Sequence, residues 1–406
     1  MIPQRPLHPT QPLPPLLWDV FCKVIDNHGD LGVCWRLCSQ LASLGHRVRL
    51  WVDQSHALAW MAPQGQARID VLPWPSNACP DLAPADVWLE TFGCGLSDAF
   101  LNHFRAQLSA TQKPTPPWFN LEYLSAETYV ERSHLLPSPI SQGAGQGLTR
   151  RFFFPGLTPR TGGLLRELHL LERQSGFDRT RWLAELGIHL QQQERVVSLF
   201  CYEPAALPGL IHALAASANQ ATRLLVTKGR AAAAVDEVVR ITANGEALKQ
   251  EAQEHKHMSC SSQFVSVHLQ IEYLPALTQI HFDHLLWASD VNFVRGEDSW
   301  VRALLAGKPM VWQTYPQDDA AHHAKLNAFL DWSDAPADVR QLHQAWNDLA
   351  MGTAPPPWHL LDVLHASHQH WLEWMSQVKS RLMASEDLVT QLLRAVQADL
   401  KSAIQP

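Results

Sequence analysis

The sequence has no long hydrophobic run. No uninterrupted apolar stretch reaches the roughly 18 residues of a membrane-spanning helix, so we expect no transmembrane segment. Residues 1–16 are rich in proline and have no apolar core of the kind that a secretory signal carries. We therefore expect a disordered leader over 1–16 rather than a targeting peptide.

Charge is also sparse. Asp, Glu, Lys and Arg make up 17% of the 406 residues, and 39 acidic against 32 basic residues give a net charge of -7. So low a charged fraction excludes a disordered polyelectrolyte. The negative balance argues against bulk electrostatic binding to nucleic acid or to an anionic membrane, so we expect neither as a partner. Hydrophobic residues, at 46%, are typical of a globular protein with a sizeable core.

Cysteine and histidine form no metal-binding pattern. The seven cysteines are scattered, no Cys/His set has zinc-ligand spacing, and no HExxH motif occurs. We expect no bound metal and no cofactor. Scattered thiols also favour a reduced, cytoplasmic location.

The first part of the chain alternates strands and helices. A buried strand over 16–25, a loop over 26–32, a helix over 33–45 and a strand over 46–53 form a βαβ unit, which predicts a parallel sheet. Further strands are predicted over 67–74 and 85–93, each followed by a helix, and over 116–124.

Residues 137–163 are rich in Gly, Pro and Ser, and we predict a long surface loop there, followed by a helix over 163–174. A second alternating block then begins. Its predicted strands cover 194–203, 222–229, 265–275, 291–294 and 308–315. Its predicted helices cover 207–217, 281–290, 299–307 and 317–332, and 340–406 is mostly helical.

This order predicts an α/β protein with two doubly wound domains that face a central cleft. The expected divisions are the leader 1–16, a first domain over 17–190, a second domain over 191–375, and a C-terminal helix within 376–406 that packs back toward the first domain. Ligands of such sheets bind beyond the carboxyl ends of the strands.

The first candidate site is the loop after the first strand, which contains Asp26, Asn27, Gly29 and Asp30. Two carboxylates four residues apart could bind a cationic or hydroxyl-bearing substrate, and the glycines would let the backbone approach it. Alternatively, Asp30 is simply a helix N-cap or forms an Asx turn. The loop has G-x-x-G rather than G-x-G-x-x-G, so it gives little support for a nicotinamide cofactor.

The second candidate site lies within 292–312 and contains Arg295, Glu297, Asp298 and Ser299. Asp298 or Ser299 could cap the following helix, whose N-terminal N–H groups would suit a diphosphate, and Arg295 could bind two phosphate oxygens. The alternative is a capped helix with an Arg–Glu pair on the surface.

Two further sets of residues are expected at the same cleft. Gln317 and Asp318 follow a strand and could bind sugar hydroxyls, or they could belong to an acidic helix N-terminus. Tyr202 and Phe282 could stack on a nucleobase, although packing in the core is the more common fate of an aromatic side chain.

Long stretches over 18–53 and 292–322 closely resemble the EarP family, the bacterial protein-arginine rhamnosyltransferases that modify elongation factor P. The segments 151–165 and 196–204 resemble it too. The resemblance implies a GT-B fold with two Rossmann-like domains, dTDP-β-L-rhamnose as donor, and one arginine of elongation factor P as acceptor. It also implies a reaction that inverts the anomeric centre.

The resemblance assigns roles by motif position. The catalytic aspartates fall on Asp26 and Asp30, with Asp30 the favoured base, and the essential Glu and Arg fall on Glu297 and Arg295. The positions that contact the nucleotide and its diphosphate are Asp298, Ser299, Tyr202 and Phe282. The sequence departs from the family at Ala276, where relatives tend to carry an aromatic residue.

Two other functional classes remain open at this point. One is a nucleotide-sugar epimerase, or another small-molecule enzyme on the same two-domain frame, which needs no protein partner. The other is a non-catalytic protein that only binds elongation factor P.

Overall fold

The computed structural model describes residues 13–25, 28–76, 81–218, 220–245, 261–317, 320–349 and 356–402. Asp26, Asn27 and Asp318 lie outside these ranges, as does most of the expected leader. Within them the chain forms two sheets covered by helices, which confirms the α/β class and the two-sheet organisation.

The first sheet contains seven strands within the described residues, in the order β3-β2-β1-β4-β5-β7-β6. All neighbours pair in parallel except β6 and β7. The strands are β1 Leu17–Cys22, β2 Arg47–Val52, β3 Ile69–Pro73, β4 Val87–Thr91, β5 Trp118–Leu121, β6 Pro137–Pro139 and β7 Thr149–Phe153. The helices of this half are α1 Gly29–Ser43, α2 Leu58–Met61, α3 Asp98–Thr111 and α4 Tyr129–Ser133.

The second sheet contains six strands within the described residues, in the order β10-β11-β9-β8-β12-β13. Two helices, α5 Leu170–Ser175 and α6 Arg179–Glu185, precede it. The strands are β8 Arg195–Leu199, β9 Thr222–Val226, β10 Ser261–Ser266, β11 Leu269–Tyr273, β12 Val291–Arg295 and β13 Met310–Gln313. The helices are α7 Leu207–Ala215, α8 Arg230–Gly245, α9 Gln279–Ala288, α10 Asp298–Ala306, α11 Ala321–Trp332 and α12 Ala337–Trp346.

The chain ends in helices that belong to different halves. A 3₁₀ turn over Trp358–Leu361 and helix α13, Ala366–Met383, pack in the core of the second sheet. Helix α14, Leu388–Ser402, instead buries its apolar face in the core of the first sheet, against β1 and α1. The first core is therefore assembled from both ends of the described chain.

Both sheets have a topological switch point. In the first sheet, β1 lies between β2 on one side and β4 on the other. In the second sheet, β8 lies in the same way between β9 and β12. A crevice opens at the carboxyl ends of the strands where the order reverses, and this is the usual ligand site of doubly wound folds.

Two segments predicted as loops are ordered elements. Residues 137–163 supply β6 and β7, because Phe152 and Phe153 pair with β5, and Phe153 is fully buried. Residues 26–32 are not a loop throughout, since α1 already begins at Gly29.

Other predicted elements were misplaced. The strand over 265–275 is a hairpin of β10 and β11, whose turn forms because Ser266 Oγ accepts the N–H groups of His268 and Leu269. No helix follows β3 in the described residues before β4, and the helix over 163–174 is confined to α5. The helix over 317–332 begins only at Ala321, and α8 was not predicted.

Candidate active site

Helix α1 of the first half lies directly against the beginning of α9 and α10 in the second half. Gln279 Nε2 donates to the carbonyl of Gly32 at 2.8 Å. A Cβ atom at Gly32 would lie 3.4 Å from Gln279 Nε2 and 3.6 Å from Asp298 Oδ2, so the missing side chain allows this close approach. The two predicted site motifs therefore meet at one crevice.

Asp30 lies at the first turn of α1 and is 3% exposed. Its Oδ2 accepts the backbone N–H of Ile25 at 2.8 Å, which folds the chain after β1 back over the helix start. The Tyr123 hydroxyl lies 3.5 Å from Oδ1, and the Tyr123 ring stacks on Phe92 at 4.4 Å. Asp30 is thus a fixed carboxylate at the carboxyl edge of the first sheet.

Glu297 belongs to the second half and comes directly before Asp298, the residue that approaches Gly32 of α1. Burial raises the pKa of Glu297 to about 7, and the negative charges of Asp30 and Asp298 act in the same direction. Lys325 and the backbone N–H of Leu124 oppose this rise. Among the described residues, Glu297 Oε2 has no hydrogen-bond partner although it is shielded from solvent. This carboxyl can therefore change its charge near neutral pH and has one oxygen left for a ligand.

Arg295, at the end of β12, stacks on aromatic rings from the turn after β8. Its guanidinium carbon lies 4.6 Å from the Phe200 ring centre and 4.4 Å from that of Tyr202. Arg230 also lies against Tyr202, at 4.8 Å, and Phe282 contacts Phe200 edge-on. The structure thus brings Arg295, Tyr202 and Phe282 into one aromatic cluster, and their contact with a nucleobase stays a prediction.

Ser299 and Asp298 do not cap α10 as the sequence suggested. The Ser299 hydroxyl donates to the Arg295 carbonyl and accepts the Arg295 N–H, so it closes the turn between β12 and α10. The Asp298 carboxylate pairs with Arg36 of α1, whose Nε lies 3.1 Å away. The residue at the N-cap position is Glu297, whose side chain makes no capping bond. The alternative of an Arg295–Glu297 surface pair is not observed among the described residues either.

The remaining predicted residues lie farther out. Gln317 is exposed, and its N–H donates to His322 Nδ1 at 3.1 Å. Ala276 is exposed in the segment between β11 and α9. Within the described ranges, no contact links Gln317 or Ala276 to Asp30 or Glu297.

Sequence reasoning missed three side chains of the crevice: Arg36, Tyr123 and Lys325. Tyr123 could have been predicted, because it lies two residues after the end of β5, at the same edge of the sheet as Asp30. Arg36 lies on the helix that carries Asp30, but a buried arginine on a helix gives no sign of the partner that it faces. Lys325 is held on α11, where burial lowers its pKa and Glu297 raises it.

The described residues contain neither a membrane-spanning helix nor a cluster of metal-binding side chains. None of their helices has the length and apolar character needed to cross a bilayer. No group of three or more His, Cys, Asp or Glu residues in these ranges is arranged to hold a metal ion.

Comparison with known proteins identifies close relatives. The family model described as "Elongation-Factor P (EF-P) rhamnosyltransferase EarP" matches residues 18–397. A protein-arginine rhamnosyltransferase of Pseudomonas putida is 41% identical over 401 residues, which cover 93% of this chain and 97% of that protein. One from Pseudomonas aeruginosa is 40% identical over 350 residues, covering 81% and 86%.

Solved structures show the same architecture as this chain. A structure reported as the basis for EarP-mediated arginine glycosylation of translation elongation factor EF-P matches with a TM-score of 0.61 and 29% identity, covering 94% of this chain and 99% of that one. The Arabidopsis thaliana protein UGT89C1 bound to quercetin is only 10% identical but has a TM-score of 0.51, over 95% and 99% of the two chains. The shared architecture is GT-B, as expected.

Proposed function

This chain belongs to the EarP family of elongation factor P rhamnosyltransferases, and we propose that it transfers L-rhamnose to an arginine side chain of elongation factor P. The proposed donor is dTDP-β-L-rhamnose, and the transfer inverts the configuration at the anomeric carbon. The observation that supports this most directly is a pair of carboxyl groups at one crevice: Asp30 lies on α1 and Glu297 directly before α10, and the contacts of Gly32 with Gln279 and Asp298 bring these two helices together.

The acceptor guanidinium binds on the side of Asp30. The pKa of a guanidinium lies roughly 9 units above that of a carboxylic acid, so proton removal by Asp30 before the reaction would cost about 12 kcal/mol. The guanidinium therefore stays protonated while Asp30, held by the Ile25 N–H, orients it. Asp26, outside the described residues, is expected to assist.

Proton transfer comes late in this mechanism. A guanidinium nitrogen attacks the anomeric carbon as the bond between that carbon and the diphosphate oxygen breaks. The nitrogen becomes more acidic as the new C–N bond forms, and its proton then passes to Asp30. Attack on the face opposite the leaving group converts a β-linked donor into an α-linked product.

The donor binds on the side of α10. N–H groups at the start of this helix would stabilise the departing diphosphate, and Arg295 adds a positive charge beside them. The free oxygen of Glu297 is available to a sugar hydroxyl. We expect no metal in this scheme, because the positive charge near the diphosphate comes from the protein.

The first test replaces the base. Asp30→Asn should abolish rhamnosyl transfer, followed by mass spectrometry of elongation factor P, while calorimetry shows nearly unchanged donor binding. Asp86→Asn is the matched control, since Asp86 also accepts a backbone N–H, that of Leu17, but at the opposite end of the sheet. Wild-type turnover in Asp30→Asn would remove Asp30 from the role of base.

The same assay separates the competing functions. A deoxyhexose adduct on one arginine, α-linked by NMR, supports inverting transfer. Consumption of the donor with no protein adduct would favour a small-molecule enzyme. Binding of elongation factor P without donor consumption would favour a non-catalytic role.

A further inference from the structure

Arg36 of α1 makes several hydrogen bonds and ion pairs with residues outside the first sheet and its helices. Its side chain is only 4% exposed, and Nε lies 3.1 Å from Asp298 Oδ1. Nη1 donates to Glu167 at 3.1 Å, and Nη2 donates to the Gln279 carbonyl at 3.2 Å and to Asp283 at 3.4 Å. Every partner lies outside the first sheet and its helices. One guanidinium thus binds three separate segments at once.

The second half already neutralises two of these acidic partners. Arg302 binds both carboxylate oxygens of Asp283, at 2.8 and 2.7 Å, and donates to Glu167 at 2.6 Å. Arg173 lies 3.5 Å from Asp283. Asp298 differs from them, because Arg36 is the one cation paired with it among the described residues. Arg36 therefore matters most for Asp298.

Asp298 connects this contact to the site. It begins α10 directly after Glu297, at the helix end where the diphosphate is expected. On α1, Gly32 lies one turn before Arg36 and is bonded to Gln279, while Asp30 lies a half-turn earlier still. The helix that carries Asp30 is thus joined to the helix start next to Glu297.

We propose that Arg36 is a positioning residue: by joining Asp298 to α1 it sets the separation of Asp30 from Glu297 and neutralises the carboxylate beside the diphosphate. The proposal rests on the proposed function. Reacting groups need placement within about 0.5 Å, so a contact between the halves this close to the site controls the rate. An unpaired Asp298 would also repel an anionic donor.

Four variants of the full chain test this. Arg36→Lys keeps the charge but cannot bind three segments at once. Arg36→Met removes the charge, and Arg36→Met with Asp298→Asn also removes the carboxylate left behind. Arg223→Met is the control, because Arg223 is equally buried and pairs with Glu194 and Glu272 at 2.9 and 2.7 Å, all within the second half.

Rates come from mass spectrometry of elongation factor P, donor Kd from calorimetry, and Tm from thermal unfolding. Arg36→Lys should fold and bind donor normally, but its kcat should fall at least about tenfold. The kcat of Arg36→Met should fall on the order of 10²-fold. Arg36→Met should also weaken donor binding, and Asp298→Asn should restore that binding but not kcat. Arg223→Met should lower Tm and leave kcat unchanged.

The opposite results are distinct. Wild-type kcat in Arg36→Lys, recovery of kcat in the double variant, or an equal loss of kcat in Arg223→Met would each overturn the proposal. A wild-type protein that forms no adduct on elongation factor P would instead refute the proposed function. Failure of the positioning role of Arg36 can therefore be distinguished from failure of the proposed function.

Discussion

The pKa of Glu297 is raised by some of its neighbours and lowered by others, and its Oε2 has no hydrogen-bond partner among the described residues. Burial and the nearby Asp30 and Asp298 raise its pKa to about 7, and Lys325 limits the rise. Near neutral pH the group is therefore divided between its neutral and its charged form. Only the neutral form can donate a hydrogen bond, and only the charged form repels a diphosphate.

Donor affinity should consequently depend on pH. The donor is anionic and favours protonated Glu297, so its affinity should fall, by up to about tenfold per pH unit, as pH rises through about 7. Glu297→Gln, which is neutral throughout, should flatten this dependence in calorimetric titrations across that range.

Glu90 provides the matched control for this prediction. Burial also raises its pKa to about 7, but it lies on β4 and pairs with Arg150 in the first half. Glu90→Gln should keep the wild-type dependence of donor affinity on pH. If Glu297→Gln retained that dependence, the titrating group would lie elsewhere.

Elements could be predicted from the sequence where local pattern and tertiary environment agree. β1, β2, α9 and α10 were placed correctly because apolar runs and helical spacing indicate buried elements. The start of α1 was missed because glycine and polar residues over 26–32 are typical of loops. In the structure, the Gly32 N–H donates to the His28 carbonyl as in a helix, and the Gly32 carbonyl accepts a hydrogen bond from Gln279 of the second half. β7 was also missed, because the Gly- and Pro-rich segment around it is typical of a loop.

The candidate site could be predicted only in part. Asp30, Arg295 and Glu297 follow strands, and residues at the carboxyl ends of parallel strands are expected at a common edge. The Arg36–Asp298 pair joins residues far apart in the chain, and no local pattern encodes such a contact. Asp298 was therefore predicted to cap α10 or to lie at the diphosphate, whereas its carboxylate pairs with Arg36.

Helix α14 should be essential to the stability of the first half. Leu392 is fully buried among residues of β1, α1 and β2. Leu392→Ala leaves a cavity there and should lower the free energy of unfolding by about 2–5 kcal/mol, measured by urea denaturation.

Lys401→Ala, on the exposed end of the same helix, should have little effect on that free energy. Equal stability of the Leu392→Ala and Lys401→Ala proteins would mean that α14 contributes little to the first core.

At the scale of the whole molecule, charge pairs join the two halves, and these pairs depend on pH. Burial alone would raise the pKa of Glu167, but Arg302 and Arg36 outweigh it and hold the pKa at about 2, below the usual 4.5. A carboxyl with a lowered pKa stabilises the folded state above its unfolded pKa and loses that contribution on protonation.

Stability should therefore decline as pH falls from about 4.5 toward about 2. Glu167→Gln should be less stable at neutral pH and should lose less over this acidic range, followed by thermal unfolding at each pH. Glu172→Gln is the control, because Glu172 is exposed and pairs only with His169 among the described residues. A decline of the same size in Glu167→Gln and wild type would contradict the prediction.

The position of α14 also affects how the protein is made. Its residues Leu388, Val389, Leu392 and Val396 complete a core whose strands lie in the first part of the sequence. On the ribosome, the part of the first core that α14 covers stays exposed until α14 has been synthesised. This core is therefore completed only after the second half has been synthesised, later than is usual for an N-terminal domain.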